Sequence, residues 1–248
     1  MRPPSAALSR CELTFRQREP IDVDRAVEQH RAYVAALRTH GVDLEILPAV
    51  EDLPDAVFVE DTAVVLDECA VVTRPGVDSR RGETDAVAPA LGAHRPIVTI
   101  EAPGTLEGGD VLRIGRTLFA GQTLRSNADG IRQLAEAAGP HGYEVVAVPL
   151  SGCLHLKSAV TYAGSETVVC NPEWVNVDLF ARWQCVPVAA EEPYGANVLL
   201  IADVVYVAAS APGTRRKLDA LGFQTSALDT SEFEKAEAAL TCLSLLFE

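Results

Sequence analysis

The sequence predicts an α/β fold built from five repeats of a strand hairpin, a helix and a short closing strand, arranged radially as in a propeller. Three observations predict it. Paired apolar runs joined by two residues recur along the chain as hairpins. A unit of helix, glycine and short extended segment occurs at least three times. The polar residues that precede the hairpins, Asp61, Asp110, His155, Asn197 and Cys242, are separated by 49, 45, 42 and 45 residues. A period of this length marks repeat architectures. An ordinary α/β domain with evenly spaced elements is the alternative.

Taken in order, the first plain helix covers Arg25 to Thr39, capped by Asp22 or Asp24 and ended by Gly41. Its stripe is Ala26, Val27, His30, Tyr33, Val34 and Leu37. Val42 to Leu47 alternates like a strand. The hairpins pair Thr62–Leu66 with Cys69–Thr73, Val111–Ile114 with Thr117–Ala120, Ala159–Tyr162 with Glu166–Cys170, and Val198–Ile201 with Val204–Ala208. Asn127 to Ala138 reads as a helix stopped by Gly139-Pro140, with a strand from Tyr143 to Val148 behind it. Arg215 to Leu221 reads as part of a third helix, and Phe223 opens the next extended piece. The fifth unit is expected to join the C-terminal run Leu243–Phe247 to a strand around Arg10–Phe15. No interdomain linker is visible, so residues 1–248 read as one domain.

Composition narrows function. Lys and Arg number 21 against 35 Asp and Glu, a net charge of −14. That disfavours nucleic acid or an anionic membrane as the main partner and is compatible with a small cationic ligand. No apolar run reaches membrane-spanning length, and no signal-peptide core is seen. Six cysteines without a CxxC pair fit a reduced, cytoplasmic protein.

Several residues could carry chemistry. Cys242 is a candidate nucleophile, cysteine being the side chain nearest activation at neutral pH. His155, flanked by apolar residues, is a candidate general acid and base. Glu107 and Asp110 flank two glycines, which suggests a close backbone approach. Glu60 and Asp61 sit in an apolar run and call for a cationic partner. Arg80 and Arg125 lie in loops and could fork onto a carboxylate. Buried cysteine and histidine, and solvated arginines, are the plain structural alternatives. No zinc, dinucleotide or phosphate-loop pattern is present.

The sequence resembles the dimethylarginine dimethylaminohydrolases of the guanidino-group-modifying, or pentein, superfamily. The resemblance is carried by Asp55-Ala56-Val57-Phe58-Val59-Glu60-Asp61, the stretch 75–83, Leu106-Glu107-Gly108-Gly109-Asp110-Val111-Leu112, Ser151 to Ser158, and Ser231-Glu232-Phe233-Glu234-Lys235 through Thr241-Cys242. It spans essentially the whole chain. It implies a five-bladed ββαβ propeller with pseudo-fivefold symmetry that hydrolyses Nω-methylated L-arginine to L-citrulline and dimethylamine or methylamine. It implies Cys242 as nucleophile, His155 as acid and base, and Glu107 as the group orienting His155. Substrate binding would fall to Asp61 and Glu60 at the guanidinium and to Arg80 and Arg125 at the α-carboxylate. Asp55, with backbone carbonyls near Leu13 and Ala236, would hold the α-amino group. No cofactor or metal is implied, and the partner is a small cationic amino acid, with a homodimer as an option. Relatives often carry glycine where this chain has Ala238-Ala239 and Glu12. Arginine deiminase, amidinotransferase and agmatine-directed enzymes use related chemistry, and a ribosome anti-association factor uses the architecture without the catalytic set.

Overall fold

The structure is a computed structural model that describes all 248 residues, Met1–Glu248. It contains four three-stranded sheets, each built the same way. The first joins β1 (Ala63–Val65) and β2 (Ala70–Val72), antiparallel, to β3 (Ile97–Thr99), parallel to β2. Helix α2 (Thr84–Gly92) makes the crossover. The second joins β4 (Val111–Ile114), β5 (Thr117–Gln122) and β6 (Glu144–Pro149) through α3 (Ala128–Ala138). After the short helix α4 (Leu156–Ala159), the third joins β7 (Val160–Gly164), β8 (Thr167–Cys170) and β9 (Gln184–Pro187). The fourth joins β10 (Leu199–Ile201), β11 (Val204–Ala208) and β12 (Gln224–Leu228) through α5 (Pro212–Ala220).

Local chemistry explains these elements. Asn127 caps α3 by accepting the Gly130 N–H at 2.8 Å. The long N-terminal helix α1, Val23–Thr39, is capped by Asp22, which accepts from the Arg25 N–H at 3.1 Å. It buries Ala26, His30, Tyr33, Val34 and Leu37, the expected stripe. The end of β7, where the hairpin turns, holds Gly164 at φ 88°, a conformation that glycine adopts without a Cβ clash. Short sheets leave one strand face for each neighbour, so the core is divided into wedges. Val64, Val71, Leu118 and Leu134 fill the wedge between the first two sheets. Phe119, Val148, Val160 and Phe180 fill the next. Ala163, Val169, Val205 and Leu218 fill the third.

The fifth unit departs from expectation. Arg10–Phe15 is not a strand. Ala6–Arg10 winds into a single 3-10 helix capped by Ser5, and residues 12–16 form a loop. The backbone N–H groups of that loop go to carboxylates rather than to a sheet partner. Val42–Leu47 and Leu243–Phe247 form no ladder with each other, although Leu47 and Leu245 pack together against the first sheet. Five sheets are therefore not formed by residues 1–248, only four. The sequence favoured reduced cysteines without excluding a disulfide, and one is formed: Cys170 and Cys185 are joined, with Cα atoms 6.5 Å apart on neighbouring parallel strands. Cys11, Cys69, Cys153 and Cys242 are free and buried. No helix is long and apolar enough to cross a membrane.

Candidate active site

The polar residues ahead of the hairpins converge. Asp61 lies in a 3-10 turn, Val59–Thr62, that leads into β1. Asp110 ends the equivalent turn, Gly108–Asp110, before β4. His155 caps α4 before β7, and Cys242 lies in the turn Thr241–Leu243. Each short turn rotates one side chain off the strand direction and toward the common centre.

His155 is the hub. Its Nε2 lies 2.6 Å from Glu107 Oε2, and its Nδ1 lies 3.9 Å from Asp61 Oδ1. All three side chains are buried. Burial alone would favour the neutral ring, but Asp61, Asp110 and Glu107 outweigh it and raise the His155 pKa to about 9. Burial pulls the Glu107 carboxyl upward, yet the His155 hydrogen bond and the Arg80 charge hold it well below the usual carboxylate range. Asp110 accepts from the Leu156 N–H and from the Ser126 and Thr123 hydroxyls. Its burial still lifts its pKa to about 6.

The two glycines are a steric necessity. A Cβ on Gly109 would stand 2.7 Å from Asp61 Oδ1 and 2.8 Å from His155 Nδ1. The Gly109 N–H instead donates to Asp61 Oδ1 at 3.0 Å. A Cβ on Gly108 would collide with the carbonyl of Glu60.

Cationic partners neutralise the buried acids, as the sequence required. Arg80 grips Glu83 through Nε and Nη2 at 3.0 and 2.9 Å, and its Nη1 donates to Asp61 at 2.9 Å. The same Nη1 lies 3.5 Å from Glu107. Arg125 is less committed: it donates to Thr14 Oγ1 at 3.2 Å and reaches Glu107 at 3.4 Å. Glu60 accepts from Lys157 Nζ and Thr241 Oγ1, both at 2.7 Å. Asn197 donates to Thr241 Oγ1 and to the Lys157 carbonyl, tying the fourth unit to this network.

Cys242 shares one pocket with His155, Asp61, Arg80, Arg125 and Asp55. Burial drives its thiol pKa far upward, and the charges of Glu60 and Asp61 push the same way. The resting group is therefore a neutral thiol. Ala236 and Ala238 also line the pocket. Asp55 accepts twice from the Glu12 N–H, at 3.0 and 3.3 Å. Leu13 packs its side chain on the apolar cluster around Phe58 and Phe233. The open volume is only about 10 Å³, room for about one water. The loop 12–16 closes it. Glu237 accepts the backbone N–H groups of Thr14, Phe15 and Arg16, and Glu12 accepts from Ser79 Oγ at 2.6 Å.

Every site residue expected from the sequence except Glu60, Glu107, Asp110 and Leu13 lines this pocket directly. Glu60 and Glu107 stand behind it, bonded to Lys157 and to His155. Sequence reasoning missed Lys157, Glu83 and Glu237. Lys157 carried a signal: it follows His155 by two residues beside a paired acid in need of a cation. Glu83 sits three residues after Arg80, the spacing of a helical ion pair. Glu237 carried none beyond its charge. The side chains Asp61, Glu107 and His155 bring ligand atoms within 4.8 Å of one another, but each is already engaged by a cation or by its neighbour.

Comparison with known proteins gives the chain's relatives. A family described as N,N dimethylarginine dimethylhydrolase, eukaryotic, matches residues 6–178. An N(G),N(G)-dimethylarginine dimethylaminohydrolase from Streptomyces coelicolor is 45% identical over 249 residues, covering 99% of this chain and 95% of the relative. The enzyme of that name from Pseudomonas aeruginosa is 38% identical over 228 residues, covering 91% and 90%. A solved structure of the Pseudomonas aeruginosa protein, a cysteine-to-serine mutant complexed with citrulline, superposes with a TM-score of 0.95 at 36% identity, covering 99% of this chain and 97% of that one. With the Glu107–His155 pair, the nearby Cys242 and a family match across most of its length, the chain belongs to the dimethylarginine dimethylaminohydrolase family.

Proposed function

We propose that this chain, as one catalytic domain, hydrolyses Nω-methylated L-arginine to L-citrulline and dimethylamine or methylamine through a covalent intermediate on Cys242. The observation that carries the reading is the buried Glu107–His155 pair, held at 2.6 Å in the pocket that Cys242 lines.

Asp61 receives the substrate guanidinium through charge-assisted hydrogen bonds. A cation placed beside Asp61 and Glu60 offsets the charges that keep the Cys242 thiol neutral. Substrate binding thus favours the thiolate, with its proton released to solvent. The thiolate attacks the central guanidinium carbon and a C–S bond forms. At a pKa of about 9, His155 is protonated at neutral pH, and its Nδ1 is free of Glu107. It delivers a proton to the methylated nitrogen as the C–N bond breaks. The product is a cationic S-alkylthiouronium. Neutral His155 then takes a proton from water, which attacks the same carbon; as the C–S bond breaks, the remaining hydroxyl proton passes to the departing sulfur, giving citrulline and the Cys242 thiol. The substrate and the thiouronium are cations and the tetrahedral adducts between them carry no oxyanion, so carboxylates replace an oxyanion hole. Arg125, with the N–H groups Arg80 has left over, takes the α-carboxylate. Asp55 and the carbonyls near Leu13 and Ala236 take the α-amino group.

Mass spectrometry of products tests the reading. Purified protein is incubated separately with asymmetric dimethylarginine, monomethylarginine, arginine and agmatine, and each reaction is repeated with Cys242→Ser. Citrulline and methylamines from the methylated substrates are expected, with none from the variant. Turnover of arginine or agmatine alone would move the specificity, and no turnover at all would overturn the hydrolase assignment.

A further inference from the structure

Arg80 is a guanidinium placed beside a carboxylate that is proposed to receive a guanidinium. Its Nη1 lies 2.9 Å from Asp61 Oδ2, and both residues line the pocket of Cys242. An arginine facing a carboxylate favours a fork of two parallel bonds. Such a fork would engage both Asp61 oxygens and make Arg80 a built-in competitor of the substrate. The fork on Asp61 is not formed. Only Nη1 bonds to Asp61, and Oδ1 accepts from the Gly109 N–H at 3.0 Å. An ionised carboxylate has about four acceptor positions, so each oxygen keeps room for a further bond.

Glu83 accounts for the difference. Its two oxygens take Arg80 Nε and Nη2 at 3.0 and 2.9 Å, a complete side-on fork. Both side chains are buried, so neither has water to turn toward. They lie three residues apart on one 3-10 turn, Asp78–Glu83. Charge alone does not explain this arrangement. Arg80 already faces Asp61 and Glu107, at 2.9 and 3.5 Å, and a third buried acid adds repulsion. Burial pushes the Glu83 carboxyl up to about 7 against the pull of Arg80, and Asp55 and Asp61 push it the same way. A second buried cation, Arg2, stands in the field of Glu83, yet its Nε and Nη2 bond to nothing. Glu83 spends both oxygens on Arg80. What it supplies is direction.

We propose that Glu83 is a positioning residue that holds the Arg80 guanidinium out of the pose the substrate guanidinium takes on Asp61. The proposal rests on the reading of Asp61 as the acceptor of that group. With Nε and Nη2 held, Arg80 lends its charge to Asp61 and Glu107 through one nitrogen. Released from Glu83, it turns its fork onto Asp61 and blocks the site from within.

Glu83→Gln keeps the shape but leaves a single acceptor, so the side-on fork opens. Calorimetry with asymmetric dimethylarginine, in protein carrying Cys242→Ser, reads the result without turnover. Glu83→Gln is expected to weaken binding at least tenfold. In an Arg80→Lys background, which keeps the charge and has no fork, the same change should alter affinity less than about twofold. Undiminished binding in Glu83→Gln, or an equal loss in both backgrounds, would overturn the proposal. A second measurement needs no Glu83 variant to fold. The Arg80 Nε–H resonance, assigned by its absence in Arg80→Lys, should exchange slowly with solvent in the free protein and stay slow with ligand bound. Fast exchange in either state would also overturn it. Failure of every form to bind dimethylarginine would instead remove the substrate reading, and the resonance would still report whether Glu83 holds Arg80.

Discussion

In the proposed chemistry Glu107 acts through His155, whose proton it helps to hold together with Asp61 and Asp110. Replacing it by glutamine keeps the shape and removes the charge. Glu107→Gln is expected to lower the His155 pKa from about 9 toward its ordinary value, read directly by NMR of the ring. Turnover should drop about 10²- to 10⁴-fold, the usual scale for losing acid–base catalysis. The alkaline limb of the rate profile should move to lower pH with it. Stability follows the same sign. The folded state holds the His155 proton more tightly than the unfolded chain, so its contribution is complete below pH ~6.5. It is lost as pH rises through about 9. Thermal melts between pH 6 and 10 should show this decline, and in Glu107→Gln it should shift downward. Gly109 makes a second test. A methyl group there meets Asp61 and His155 at under 3 Å, so Gly109→Ala should abolish turnover while costing about 1–3 kcal/mol of stability.

At the scale of elements, Glu237, whose backbone sits at φ 58°, takes more N–H groups of the loop 12–16 than any other side chain, beside the bonds of Glu12 to Asp55 and Ser79. Its carboxylate gathers three successive N–H groups, a small anion-binding nest turned inward. Glu237→Ala should raise KM several-fold and speed amide exchange at Thr14–Arg16, leaving kcat within about two-fold if the loop only closes the pocket. The Cys170–Cys185 bond acts on a different element, fastening the outer strand β9 to β8. Closing a loop of this length contributes roughly 3 kcal/mol. Cys185→Ser should therefore lower Tm by about 6–12 °C, with activity intact below the transition. These elements also show where the sequence was legible. The hairpins and three helices were readable because alternation and the 3.6-residue stripe are local signals. Helix α2 was not, since Thr84–Gly92 carries a proline at position 89 and buries only Val87 and Leu91. Strand β3 was not, since Ile97–Thr99 is three exposed residues. Arg10–Phe15 looked like a strand, but long-range carboxylates, Asp55 and Glu237, claim the loop's N–H groups, and no periodicity reports a partner over two hundred residues away.

For the molecule as a whole, the expected site was more legible than the full ring. The even spacing of Asp61, Asp110, His155, Asn197 and Cys242 marks where each unit turns inward, and these turns do meet. The fifth sheet was expected from the same spacing, yet spacing counts units and cannot supply a middle strand. Net charge is also a property of this scale. With −14 overall, the protein's field attracts a cationic substrate from a distance, and added salt screens that attraction. The kcat/KM for methylated arginine should fall as ionic strength rises from 10 to 300 mM, with kcat nearly constant.

The order in which the site residues occur along the chain has a consequence for biosynthesis. Asp61, Glu107 and His155 leave the ribosome well before Cys242, and each comes from a different unit. A nascent chain can therefore assemble its sheets one after another while holding no nucleophile. The Cys242 thiol, the proposed nucleophile, is added after the acids, the histidine and Lys157 have been made, so a chain cut before residue 242 carries the whole charged network and no thiol for it to bury.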